Sequence, residues 1–489
     1  MRWHRFTALI YLVFAGVITW PAALQLGESI PGAERTDTWN SYWAIHHVAG
    51  RVANGDPIGF TSSLNFPIGG SVMVNDPIGV LLALPFALLF GTAVAFALLV
   101  LFQVAFAGWA MHGFTAAFLS KDWGHANPRF GPWASGLCLM LSPLMASHIH
   151  NGATETLSMG WTIVAIWMTW RFSHVRSLRS AVVAGISLGL ASLAHWYGGI
   201  VAFVFGLAIV LMRSGQDQGF SPARRWLAVF LGFMLTVPLA HRVWTAHQVE
   251  DSLTQIHQRV EVEQQTRTTG SADPVVYVRP GPALSPDFDQ ITSLERRYQQ
   301  VHYLGLVAIG MLIWGLGGRR RKQARFILVG AAMCAVLSLG PVWVQGGKAV
   351  LLSGKLAVPL PYLLVEGLPG WNGLSHPWRF ALGPVLAVAM LFGALMDGLT
   401  ARMALVWFAL LCIDYRAASP TAELQINMAL PDAPTLEALR QAPDGAVIHF
   451  PLKPGRPHLY AQTVHEKPVV ATLESVTNAR ANRFWRKVR

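Results

Sequence analysis

The chain has 489 residues, 53% of them hydrophobic and only 13% charged, with a formal net charge of +12. A soluble domain carries about a quarter charged residues, so this deficit, with a mean hydropathy of +0.41, excludes an ordinary soluble protein and predicts an all-α polytopic membrane protein. The excess cations sit in short connectors between apolar runs, which is a pattern of membrane topology and argues against a nucleic-acid partner.

In chain order, Met1-Arg-Trp-His-Arg5 followed by Phe6 to Leu24 has the outline of a signal peptide. It lacks a small-x-small cleavage site before a soluble domain and reads as an uncleaved first span. Apolar runs of about 15–25 residues place spans near 6–25, 92–119, 131–147, 156–170, 180–195, 197–212, 225–241, 304–317, 324–343, 380–397 and 402–415. The stretch 78–90, interrupted by Pro85, is too short to count and reads as a helix lying in the interface or dipping into it. With that choice, Arg2/Arg5, Lys121/Arg129, Arg171/Arg176/Arg179, Arg213/Arg224/Arg225 and the cluster Arg319 to Arg325 all fall on one side. The positive-inside rule makes that side cytoplasmic, so the expectation is about eleven spans, N-terminus in and C-terminus out.

The outer side then holds the long loops. A transmembrane domain over 1–416 carries a large first outer loop at 26–91, with further outer loops at 242–303 and 344–379. A small α/β tail follows at 417–489, with a helix from Thr435 to Ala442, a strand from Ala446 to Pro451, and Tyr460 to Val470 as its pairing partner. So short a module needs a surface to dock on, and the outer loops provide one. The basic, aromatic end Arg483 to Arg489 suits either solvent or anionic headgroups. Cys138, Cys334 and Cys412 lie inside apolar runs and predict no disulfide framework.

Several outer residues could carry chemistry. Glu34 and Asp37 follow the first span at a spacing that would put them on one helix face, where they serve either as a helix cap or as functional carboxylates. Asp56 and Asp76 each precede Pro-x-Gly, a turn signal, with a second carboxylate or a metal ligand as the alternative. In Ser147-His-Ile-His-Asn-Gly-Ala-Thr-Glu155, His148, His150 and Glu155 could bind a cation or phosphate, or simply cap the next helix. Trp196, at the break His195-Trp-Tyr-Gly-Gly199, suits an aromatic belt or sugar stacking. Arg379, with His376, stands at the outer entrance to a span, where phosphate is a natural partner and snorkelling the alternative. His112 reads as an interhelical hydrogen bond. Walker and Cys-x-x-Cys motifs are absent, and the Gly-x-Ser-x-Gly match Gly185-Ile-Ser-Leu-Gly189 lies inside an apolar run rather than on a strand-to-helix turn, so an ATPase, a serine hydrolase or a dithiol redox enzyme has no support.

Three features together resemble the GT-C superfamily, the polytopic glycosyltransferases that use polyprenyl-phosphate sugars. They are the acidic loop Gly32-Ala-Glu-Arg-Thr-Asp-Thr-Trp-Asn40, the turns Asn54-Gly-Asp-Pro-Ile-Gly59 and Leu64-Asn-Phe-Pro-Ile-Gly-Gly70, and the late His376-Pro-Trp-Arg-Phe380. Tail segments Gly445 to Pro451 and Gln462 to Pro468 are similar to those of bacterial members. The resemblance implies Asp37 as the catalytic carboxylate, with Glu34, Asp56 and Asp76 competing for the role of second acid. It also implies Pro377 and Arg379 as the phosphate element; Ser375-His376 stands where related chains place a further Arg.

The implied reaction is an inverting glycosyl transfer from a polyprenyl-phosphate-linked sugar to a glycan, lipid or protein acceptor, at the outer face of the bacterial inner membrane. No cofactor is required; the acidic loop leaves room for a divalent cation, magnesium or manganese. Two rivals stand beside it: a lipid or sugar flippase or transporter, disfavoured by spans almost free of charge, and a non-catalytic scaffold subunit.

Overall fold

The computed structural model describes residues 3–213 apart from 35, 68, 73, 126 and 176; 229–230; 267; 270–281; 301–449 apart from 346–347, 354–355, 369–370, 372–373, 422–423 and 432; 456–470; and 476–477. The expected span 225–241 lies almost wholly outside the described residues, as do most of the loop 242–303 and the end Arg483 to Arg489.

The fold is mostly helical, at 66%. Helix Thr38–Asn54 stops at Gly55, whose φ of 72° ends it in the left-handed region. Helix Pro77–Phe90 runs through Pro85 without a break, turns at Gly91 (φ 84°) and packs back on the long helix Thr92–Phe118. That helix packs against Trp3–Ile18, Gly131–Met140 and Met159–Val175, making it the axis of the bundle. Tyr11 and His112 meet across it at 3.2 Å, the interhelical bond expected of His112. Leu382–Met396, every residue of it buried, fills the centre against Gly131–Met140 and Arg325–Ser338.

The expected span 131–147 is two helices. Ser142-Pro143 breaks it, with the Ser142 hydroxyl accepting from the Met145 N–H to start Pro143–Asn151. The break at His195 separates Leu178–Ala194 from Trp196–Arg213, which pack on each other. Among the described residues only Thr92–Trp123 and Pro377–Met396 are long and apolar enough to cross a membrane by themselves. The shorter helices still carry outward apolar surface: Phe6, Leu9, Val13 and Val17 recur at helical spacing on the first helix, each more than half exposed. Such a stripe is costly against water and at home against lipid.

The tail docks on the segment 26–91. Ser29–Pro31 pairs antiparallel with Asn427–Ala429, and Val469 bridges both Leu64 and Val447. Helix Pro434–Gln441 stands where a helix was expected. Of the expected pairing of Tyr460 to Val470 with Ala446 to Pro451, the end forms, at the bridge between Val469 and Val447, while the start is helix Pro457–His465, whose Tyr460 packs at 4.8 Å on Trp39 and whose Gln462 accepts from the Trp43 indole at 2.7 Å.

Candidate active site

The site forms where four chain segments converge: the start of helix Thr38–Asn54, the turn after Pro143–Asn151, the start of Trp196–Arg213, and the turn Pro377–Ala381. Two glycines let the first two touch. Gly152 (φ 63°) and Gly32 (φ 132°) both lie against the Thr38 side chain so closely that a Cβ on either would collide with it. Thr38 donates to the Asn151 carbonyl at 3.2 Å, and Ser41 accepts from the Thr154 N–H at 3.2 Å, so the turn is stitched to the helix start.

Asp37 occupies the N-cap position of Thr38–Asn54, yet its side chain makes no capping hydrogen bond. Its Oδ2 accepts from the Asn151 amide at 3.3 Å, and its Oδ1 lies 3.8 Å from the Arg456 guanidinium. The carboxylate is 39% exposed, enough for a substrate to reach it. Arg456 comes from the tail, and nothing in the sequence pattern pointed to it.

Behind this open pair lies a closed one. Glu155 Oε1 is 3.8 Å from Arg379, with the two side chains only 11% and 18% exposed. Burial raises the Glu155 carboxyl, the Arg379 charge opposes that, and the nearby Asp37 charge adds to it. Arg379 lies over the Tyr197 ring at 5.5 Å and the Trp378 ring at 5.7 Å. The Tyr197 hydroxyl accepts the His376 N–H at 2.8 Å, and the Trp378 N–H donates to the Gly270 carbonyl at 3.0 Å, which fixes the turn that carries the arginine.

Buried imidazoles surround Arg379. His148 is pushed down to about 3 by burial, then by the charge of Arg379, and His302 to about 3 by burial. His195 is driven well down by burial and by Arg379. All three are therefore neutral rings, and Arg379 supplies the positive charge of this closed pocket. His302 stacks on Trp378 at 5.4 Å. Among the described residues, neither ring nitrogen of His195 has a hydrogen-bond partner.

The remaining expected residues are elsewhere. Glu34 precedes the helix with its side chain exposed, and among the described residues its carbonyl is used, by the Trp39 indole at 3.0 Å; it shares no helix face with Asp37. His150 bonds the Gln425 carbonyl and so ties the bundle to the tail. Trp196 is half exposed and points away, while its neighbour Tyr197 takes the place beside Arg379. His376 sits beside the arginine, its Nδ1 2.7 Å from the Ser375 hydroxyl. Asp56 is an exposed partner of Arg51 at 3.0 Å. Asp76 is buried and accepts from the Gly79 N–H at 2.7 Å, the Gln103 amide at 2.9 Å and the Ser158 hydroxyl at 3.3 Å. Neither is a free metal ligand, and among the described residues no group of three or more His, Cys, Asp or Glu is placed to hold a metal ion.

No protein-family model matches the chain, and no curated protein matches its sequence. Solved structures do match its shape. ArnT from Cupriavidus metallidurans, bound to undecaprenyl phosphate, superposes over 98% of this chain and 88% of its own, with a TM-score of 0.53 at 12% identity. The chain has the GT-C fold. Weaker likenesses reach the Archaeoglobus fulgidus oligosaccharyltransferase AglB, in complex with an inhibitory peptide and a dolichol-phosphate (TM-score 0.49, 12% identity, 96% of this chain), and the arabinofuranosyltransferase AftD from Mycobacteria (0.47, 14%, 97%). This chain spans 65% of the length of AglB and 32% of AftD.

Proposed function

We propose that the protein is a membrane glycosyltransferase that moves a sugar from a polyprenyl-phosphate carrier to an acceptor hydroxyl. One observation carries this reading: a half-exposed carboxylate, Asp37, and an arginine held in an apolar, aromatic pocket, Arg379, share one site in a GT-C fold. Undecaprenyl phosphate bound to ArnT, a solved structure of that fold, supports the choice of donor class.

In this reading Asp37 takes the proton from the acceptor hydroxyl as its oxygen bonds to the anomeric carbon. The bond from that carbon to the phosphate oxygen breaks with its electron pair, and the prenyl phosphate leaves with one further negative charge. Attack opposite the leaving group inverts the anomeric centre. Arg379 stabilises the growing charge, and the partnerless nitrogens of His195 offer a neutral N–H donor to the same phosphate. Glu155 holds the arginine in place between turnovers. The prenyl chain lies along the outward apolar side of Pro77–Phe90, where Leu81, Leu82, Phe86 and Leu89 are exposed.

The arrangement that fits this chemistry is about eleven spans with the N-terminus inside, and the site and tail on the periplasmic or exterior side of a bacterial inner membrane. The short helices reach across as tilted or paired segments rather than as single long spans. The test uses proteoliposomes and a panel of radiolabelled polyprenyl-phosphate sugars, with wild type beside Asp37→Asn. Sugar release or transfer by wild type, lost in a folded mutant, is the expected result. Equal turnover removes Asp37 from catalysis, and lipid movement between leaflets without turnover would replace a transferase with a flippase.

A further inference from the structure

Arg456 has a placement that the reading above does not use. It is the residue before helix Pro457–His465 and holds φ 58°, ψ 43°, a left-handed conformation that a side chain other than Gly, Asn or Asp rarely adopts. Such strain persists only where the surroundings enforce it. Here they do: Tyr460 against Trp39 and Tyr42 (4.8 and 5.9 Å), and Gln462 under the Trp43 indole, pin the tail helix onto the very helix that Asp37 begins. The guanidinium that results lies 3.8 Å from Asp37, 21% exposed, at the open edge of the site.

The two arginines are not equivalent. Arg379 is enclosed with Glu155 and aromatic rings, on the side given to the leaving phosphate. Arg456 stands at the carboxylate that must meet the acceptor hydroxyl. A cation so close to a general base holds that base as an ion pair, and an anionic group on the incoming molecule can take the cation over. The acceptor then carries its own release of the base.

Resting on the glycosyltransferase reading, we propose that Arg456, delivered by the tail, is an acceptor-binding residue, and that the acceptor bears an anionic group, phosphate or carboxylate, close to the hydroxyl that is glycosylated. The tail is then part of the active site. Removal of Arg456 strips the enzyme of its preference for charged acceptors while donor binding survives.

Two acceptor pairs test this in proteoliposomes with an accepted donor sugar: phosphatidylglycerol against diacylglycerol, and a methyl glucuronide against the methyl glucoside. Wild type is expected to favour the anionic member of at least one pair by about tenfold or more, the scale of one charge-assisted contact. Arg456→Gln should lose that preference through KM, and Arg456→Lys should recover part of it. Arg440→Gln, which breaks the exposed 2.8 Å pair with Glu466 elsewhere on the tail, should keep it. The pair that responds tells a lipid headgroup from a soluble glycan. Turnover by wild type without any charge preference, or a preference intact in Arg456→Gln, overturns the proposal while leaving the transferase standing. If wild type turns over no donor, it is the transferase reading that fails. Binding of glycerol 3-phosphate, followed by tryptophan fluorescence, then decides the site alone: about tenfold weaker binding in Arg456→Gln upholds an anion site, and equal or absent binding refutes it.

Discussion

Asp37 and Asp76 are the same residue in the same kind of place. Each stands in the segment 26–91 and each immediately precedes a helix. Asp76 uses its carboxylate on structure: it caps Pro77–Phe90 through the Gly79 N–H and gathers Gln103 from the long helix Thr92–Phe118 and Ser158 from the turn before Met159–Val175, and it is 2% exposed. Asp37 makes no capping bond, keeps 39% of its side chain exposed, and faces Asn151 and Arg456. A carboxylate can be spent on a helix end or left open to solvent, and the two conditions fall here to two residues. What separates them is which partners the fold brings within reach.

The sharpest way to break this contrast is to remove the charge at each site in turn. Asp37→Asn should lower sugar transfer by about 10²–10⁴-fold, the range of a lost general base, with no fall in melting temperature in detergent because no cap bond is lost. A drop in stability equal to that of a lost cap would show that Asp37 is structural after all. Asp76→Ala should do the reverse. It removes a cap and leaves the Gln103 amide without a carboxylate, at a cost of about 2–3 kcal/mol in unfolding free energy, while transfer per folded molecule is kept.

A pH series sharpens the comparison further. Burial raises the Asp76 carboxyl from its ordinary 3.8 to about 7, partly offset by the Gly79 N–H. The folded protein therefore holds a proton that the unfolded chain has released. The stability gained is full below about 4, falls as pH climbs, and is gone above about 7. The difference in melting temperature between wild type and Asp76→Asn should change across that window and be flat beyond it; a constant difference would mean Asp76 is ionised in the fold. The smallest effect belongs to Glu34→Gln. With an exposed side chain and its carbonyl engaged, this change should leave both melting temperature and transfer rate within about twofold of wild type, since such surface changes stay near 0.5 kcal/mol. A large loss would return Glu34 to the site.

Some of this was open to reading in the chain and some was not. Asp37, Arg379, His148 and Glu155 stood out as polar residues at the ends of apolar runs, because a charge beside lipid needs a reason to be there. The split of 131–147 was also written, in Ser142-Pro143, a helix start hidden inside an apolar run. The Pro at 457 marks a helix start in the same way, but Tyr460 to Val470 alternates well enough to pass for a strand, and the packing of Tyr460 on Trp39 and Tyr42 decided otherwise. Trp196 looked more exposed to function than Tyr197, yet a one-residue step around the helix turns the first outward and the second onto Arg379.

The sequence by itself determined the membrane-like composition, the acidic first loop, the basic connectors and the late arginine, because these follow from the cost of charge in an apolar surround and from local turn chemistry. Only the tertiary structure decided which aspartate is left open to solvent, that His148 and His195 close around Arg379, and that Arg456 comes back from the tail to Asp37. Those are meetings between residues far apart in the chain, set by side-chain packing between helices, and local pattern carries no record of them.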